Sequence, residues 1–261
     1  MKKKDRLGNG WFCILLGSIF FLWTCSQPMQ PAISQETKIK ESSMNVKKGV
    51  PPMDKAVSPN VETASFGMGR FWGIESRFGI IEGVIRTRVG YAGGEMEGPS
   101  YGKMGDHTET VQVDFDPGRI TYAQLLEIFW NNHQPTSRNW SRQYMNAIFY
   151  HNDEQHRLAM DSKTIVEMKN DGTIRSQVLP LRSFTMAEDY HQKYILKQHT
   201  KLKGELSRIY PQHRDFVAST AVARLNGYTG GNGTRDQLSR ELETLGLSAK
   251  GKQILSELVG Q

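Results

Sequence analysis

The chain of 261 residues has only two cysteines, Cys13 and Cys25, both close to its start. Everything after Cys25 lacks a thiol. That excludes a disulfide, a thiolate zinc site and a thiol nucleophile from the remainder. Long apolar runs are scarce as well. The stretch from Trp11 to Trp23 is shorter than the roughly 20 residues a membrane-spanning helix needs. Histidines at metal-ligand spacing are missing, because His107, His133 and His191 are scattered with no His-x-x-x-His pair. There is no internal repeat. Gly-Tyr-Thr-Gly-Gly at 227–231 echoes Gly-Tyr-Ala-Gly-Gly at 90–94 only as a short glycine turn. A large charge surplus is lacking too. Lys2, Lys3, Lys4 and Arg6 against Asp5 supply half of the formal +6. The mild surplus left gives no argument for nucleic-acid binding.

What is present is ordinary for a soluble globular protein, with 38% hydrophobic and 23% charged residues. The length suits one sizeable domain or two small ones. Residues 1–25 read as an export signal, with a basic start, a short apolar run and a closing cysteine. With Leu22 three places before it, Cys25 resembles the lipidation site of bacterial lipoproteins. The expectation is an exported, membrane-anchored lipoprotein on the periplasmic or cell-surface side. A conventional signal peptide, an uncleaved anchor and a chance hydrophobic start are the alternatives. Residues 26–59 are polar and rich in Pro, Ser and Lys, so a flexible tether is expected. A domain over 60–210 follows, then a helical extension over 211–261.

The domain reads as alternating strands and helices. Val61 to Gly69 predicts a strand and Phe71 to Phe78 a helix. Val84 to Tyr91 predicts a second strand, ended by Gly93-Gly94. Val111, Val113 and Phe115 alternate with Gln112 and Asp114, the period of a strand, which Asp116-Pro117-Gly118 ends. Thr121 is a good N-cap for a helix with Tyr122, Leu125, Leu126 and Phe129 on one face. Ala147 to Tyr150 predicts a strand, Asp153 onward a helix, Gln177 to Leu181 a strand and Ala187 to Gln198 a helix. The tail from Pro211 predicts one or two amphipathic helices packed on the domain. This is an α+β pattern. A two-layer α/β sandwich with a mixed or antiparallel sheet of the ferredoxin-like plait type is expected.

Six motifs stand in order between Ala64 and His199: GMGRFWGIES, RVGYAGG, PSYGKMGDHTETVQVDFDP, IFWNNHQPT, RQYMNAIFYH and AEDYHQKY. Together they resemble the A-type peptide methionine sulfoxide reductases, over about half of the chain. Singly, each residue has a plainer reading. Phe71 and Trp72 would be core aromatics, Glu109 a solvated charge, Tyr101 and Tyr144 half-buried tyrosines, and Arg70 a surface arginine. The joint occurrence of the motifs favours a site.

The resemblance implies specific roles. The family reduces methionine-S-sulfoxide with a thiolate that attacks sulfur while the departing oxygen is protonated. Glu109, in His107-Thr108-Glu109, would be the proton donor. Tyr101 and Tyr144 would bind the sulfoxide oxygen, and Phe71 and Trp72 would receive the methyl group. The family's nucleophilic cysteine falls at Arg70, whose guanidinium has no lone pair with which to attack sulfur. Further departures are the absent resolving cysteines, the stretch from Ser137 to Ser141 in place of a Gly-Asn-Asp loop, and Asp106 in place of a glycine. The resemblance thus implies a family member inactive as written. The alternatives are a non-catalytic binding module for methionine sulfoxide or peptides, and a decayed scaffold at the membrane surface. No bound cofactor or metal is expected. Thioredoxin or another external thiol would serve only an active enzyme. The expected partner is methionine sulfoxide in proteins or peptides, and a monomer is expected.

Overall fold

The computed structural model of the chain describes residues 49–139 and 141–260. The expected signal segment, Cys25 and the tether up to residue 48 lie outside the described residues. The elements run α1 (Pro52–Lys55), β1 (Glu62–Met68), α2 (Phe71–Gly79), β2 (Val84–Ala92), β3 (Thr108–Phe115), α3 (Tyr122–Asn131), β4 (Asn146–Tyr150), α4 (Asp153–Lys169), β5 (Gln177–Pro180) and β6 (Phe184–Met186). Helices α5 (Tyr194–Gln198), α6 (Thr200–Ile209), α7 (His213–Ala218), α8 (Thr220–Thr229), α9 (Arg235–Glu241) and α10 (Ala249–Val259) follow.

Local chemistry sets the helix starts. Thr121 and Gln124 close a reciprocal capping box on α3, with Gln124 N–H donating to the Thr121 hydroxyl at 3.2 Å and Thr121 N–H to the Gln124 side chain at 2.8 Å. Asn152 caps α4 by accepting from Gln155 N–H at 2.9 Å.

The six strands form one sheet in the order β5-β4-β1-β3-β2-β6. Only β4 and β5 pair in parallel, so the sheet is mixed. The protein is therefore α+β, as the alternating pattern predicts. Phe66 of β1 stands opposite Val111 on one side and Ile148 on the other. Its ring stacks on Phe78 of α2 at 5.0 Å and on Phe129 of α3 at 5.6 Å. The main core lies between the sheet and these two helices. A second core gathers Ile80 with Leu196, Leu202, Leu206, Leu225 and Leu255. Helix α8 is buried along its whole length. It crosses α2 closely, since a Cβ on Gly79 would lie 2.4 Å from the Ala223 carbonyl oxygen.

Several expectations need correction. The helix expected over 187–198 exists only as α5. Residues 187–193 instead form a strap along β2. The Gln192 side chain accepts from Val89 N–H at 2.9 Å and donates to the Val89 carbonyl at 2.8 Å. Lys193 then turns through a left-handed conformation, φ 54°. These tertiary bonds override local helical preference. The tail has four helices, α7 to α10, rather than one or two, because short caps at Ser219, Thr234 and Ser248 divide it. Gly-Tyr-Thr-Gly-Gly ends helix α8, whereas its echo ends strand β2, so the two share a turn residue pattern and nothing more. Within the stretch expected as tether, residues 52–55 form helix α1. Asp54 of α1 accepts from the Tyr210 hydroxyl at 2.5 Å, the Ser219 hydroxyl at 2.7 Å and Ala221 N–H at 3.0 Å, which fastens α1 to the C-terminal helices. β6, only three residues long, escapes the sequence pattern.

Candidate active site

The site forms where β1 turns into α2. Gly69 makes the turn at φ +78°, a conformation that favours glycine. Arg70 is the extended N-cap of α2, and its side chain makes no capping bond. The helix N-terminus faces Glu109, which β3 carries in register with Tyr91 of β2. Glu109 supplies what the cap does not: Oε2 accepts from Phe71 N–H at 3.0 Å. Its Oε1 accepts from the Gln143 amide at 2.8 Å. Glu109 is buried. Burial pushes its carboxyl above the usual range, against the opposing pull of Gln143, Phe71 N–H and the Arg70 charge.

Arg70 is exposed, and its guanidinium lies 5.9 Å from the centre of the Tyr144 ring. The Tyr144 phenol acts on that of Tyr101. Burial, Tyr144 and Glu109 raise the Tyr101 phenol, while Arg70 pulls it the other way. The structure therefore brings Arg70, Glu109, Tyr101 and Tyr144 together at the start of α2.

An aromatic wall completes the site. Trp72 stacks flat on Tyr194, with centroids 3.9 Å apart and planes 9° from parallel. Its indole N–H donates to His191 Nδ1 at 2.9 Å. The His191 ring lies 5.0 Å from Phe71, 4.5 Å from Tyr101 and 4.0 Å from Tyr190. Glu188 accepts from the Tyr91 hydroxyl at 2.5 Å and from Tyr101 N–H at 3.0 Å. Sequence reasoning placed no role on Gln143, Glu188, His191 or Tyr194. The signal was within reach, because Gln143 directly precedes Tyr144 and the other three lie inside AEDYHQKY.

Asp106, a departure from the resembled pattern, has a structural task. Its carboxylate accepts from Glu95 N–H at 2.9 Å and Met96 N–H at 3.2 Å, which closes the loop leading to Tyr101. Those N–H groups hold it below the usual carboxylate range.

An α+β protein with an acid, two tyrosines and an aromatic wall at a helix start is suited to hold a small polar group with an apolar neighbour. The family model described as peptide methionine sulfoxide reductase matches residues 62–225, and the chain belongs to that family. The chain is 42% identical over 193 residues to a peptide methionine sulfoxide reductase of Drosophila melanogaster, covering 73% of this chain and 77% of that one. It is 34% identical over 226 residues to peptide methionine sulfoxide reductase A5 of Arabidopsis thaliana, covering 84% and 85%. Among solved structures it resembles methionine sulfoxide reductase A of Corynebacterium diphtheriae. That likeness has a TM-score of 0.50 and 33% identity, over 54% of this chain and 76% of the other.

Proposed function

We propose that this protein keeps the methionine-sulfoxide site of its family and, as written, has lost the chemistry. The observation that carries the reading is Arg70 at the N-cap of α2, beside Glu109 and within reach of Tyr144. In this reading Arg70 stands in place of the nucleophilic cysteine. Glu109 keeps the position of the proton donor, Tyr101 and Tyr144 those of the oxygen ligands, and Phe71 and Trp72 those of the methyl pocket. Reduction needs a lone pair that attacks sulfur, so that oxygen leaves and the nucleophile becomes a sulfenic acid. A guanidinium has none to offer, but it donates hydrogen bonds, which suits a sulfoxide oxygen. The protein then binds oxidised methionine in proteins or peptides without reducing it. The strand order β4-β1-β3-β2, with α2 and α3 on one face, supports the plait reading of the fold.

The test is activity. The purified protein should reduce neither free nor peptide methionine sulfoxide with dithiothreitol. Arg70→Cys should convert at least one equivalent of the S epimer: without reductant it stops at one, leaving a sulfenic acid, and dithiothreitol returns that to the thiol. Turnover by the Arg70 protein overturns the reading. An unreactive Arg70→Cys protein that also shows no preference for a sulfoxide peptide over its unoxidised twin points to a decayed scaffold.

Export and lipid anchoring through Cys25 belong to the same proposal and rest on the basic start and short apolar run. Cys25→Ser should release the protein from the membrane fraction. Thioredoxin enters only if a thiol stands at position 70.

A further inference from the structure

His191 touches both walls of the site, Trp72 through a hydrogen bond and Tyr101 through ring contact at 4.5 Å. Its side chain is wholly buried. A tryptophan indole can only donate, so His191 Nδ1 accepts from Trp72 and carries no hydrogen in that bond. Burial lowers the His191 pKa, which favours the neutral ring. The single ring hydrogen then sits on Nε2. Nε2 is buried and has no hydrogen-bond partner in the protein. The carboxylate it faces is Glu188, whose Oε2 lies 4.0 Å away.

Glu188 is held on its other sides. Tyr91, whose hydroxyl donates to Oε2, rises from β2, and Tyr101 N–H donates to Oε1 from the loop that precedes β3. Burial opposes the charge on Glu188, but these two donors hold its carboxyl below the usual range. It is therefore an anion fixed in place, facing a buried N–H.

We propose that Glu188 is a positioning residue. Acting through His191 it fixes the orientation of Trp72, and acting through Tyr101 N–H it fixes the tyrosine on the opposite side of the site. One carboxylate thereby sets the distance between the aromatic wall and an oxygen ligand. The inference rests on the site reading above, yet its primary readout needs neither ligand nor activity.

The experiment is nitrogen–proton correlation spectroscopy of the full chain, with the Trp72 indole signal assigned by Trp72→Phe. Glu188→Ala should shift the Trp72 indole signal and speed exchange of the His191 Nε2 proton. The Trp130 indole, bonded to the Ser162 hydroxyl at 2.9 Å, should stay in place. Glu188→Gln keeps one acceptor oxygen for Tyr101 N–H but turns a donor toward His191, so it should still shift the Trp72 signal while leaving the Tyr101 backbone signal in place. An unmoved Trp72 signal in Glu188→Ala overturns the proposal. Should Glu188→Ala fail to fold, Tyr91→Phe removes one anchor of Glu188 and should move the same signal, and a stationary signal again overturns it. In the Arg70→Cys background, Glu188→Ala should slow the single turnover about tenfold to a hundredfold, the scale of a misplaced reacting pair. An unchanged rate there counts against the proposal. If Arg70→Cys itself is unreactive, the site reading fails and the spectra alone decide the positioning role.

Discussion

The backbone N–H of Phe71 donates to the carboxylate of Glu109 at 3.0 Å. The first turn of α2 is thus closed by an acid from β3, because Arg70 at the N-cap has no oxygen to offer. A negative group at a helix start is favourable. Burial of that same group is unfavourable. For Glu109 burial has the larger effect.

A pH dependence follows. The Glu109 pKa is higher in the folded chain than in the unfolded one. The folded state then binds the proton more tightly, and the associated stability is present at low pH. It is lost as pH rises through the raised folded value. Glu109→Gln removes that loss, and its amide oxygen can still accept from Phe71 N–H. The variant should resist urea better than the parent at neutral pH, with the difference shrinking toward acid pH. A difference of the opposite sign, or one that ignores pH, contradicts the assignment.

The same substitution separates stability from chemistry. In the proposed role of Glu109 as proton donor, Glu109→Gln in the Arg70→Cys background takes away the proton for the departing oxygen. Single turnover should fall by about 10²–10⁴, the usual worth of a positioned general acid. A rate within a few fold of the parent shows that another group delivers the proton.

The candidate site residues could be picked out in the sequence because they sit in short motifs that keep their chain order. Alternation in Val111, Val113 and Phe115 marked β3, and Thr121 marked the start of α3. The strap over 187–193 was not legible, since what unwinds it is distant. Gln192 bonds to Val89, and Lys193 N–H donates to Glu75 at 2.7 Å. Helix propensity weighs little against buried bonds of that kind. The close crossing of α2 and α8 was hidden for a similar reason. Nothing local to Gly79 announces the Ala223 carbonyl.

Lys193 and Glu75 form an ion pair at 2.6 Å with both side chains fully buried. Lys193 also donates to the Thr87 carbonyl. Removing one partner leaves an uncompensated buried charge, which costs about 3–5 kcal/mol. Lys193→Met should lower stability by that order in urea denaturation. Adding Glu75→Gln, which removes the charge and keeps an acceptor for Lys193 N–H, should recover part of it. A double variant no better than the single one argues that the strap's hydrogen bonds, rather than the stranded carboxylate, carry the cost.

Two glycines on α2 should respond in opposite directions. A Cβ on Gly79 would lie 2.4 Å from the Ala223 carbonyl oxygen and 3.1 Å from its carbon. Backbone cannot rotate aside as a side chain does, so α2 and α8 would have to separate. Gly79→Ala should destabilise by about 1–3 kcal/mol, the range for overpacking. The effect should also reach the site. On α8, Asn226 accepts from Leu196 N–H at 2.9 Å, which holds α5, and α5 carries Tyr194 stacked on Trp72. Gly73 has nothing within 4 Å of its Cβ position. Gly73→Ala should therefore stabilise by about 0.8–1.0 kcal/mol through helix propensity alone. Thermal melts measure both shifts, and Trp72→Phe identifies the Trp72 part of the fluorescence. If Gly79→Ala melts with the parent and leaves Trp72 emission unchanged, the contact between α2 and α8 is looser than the structure has it, and α8 does not support the aromatic wall.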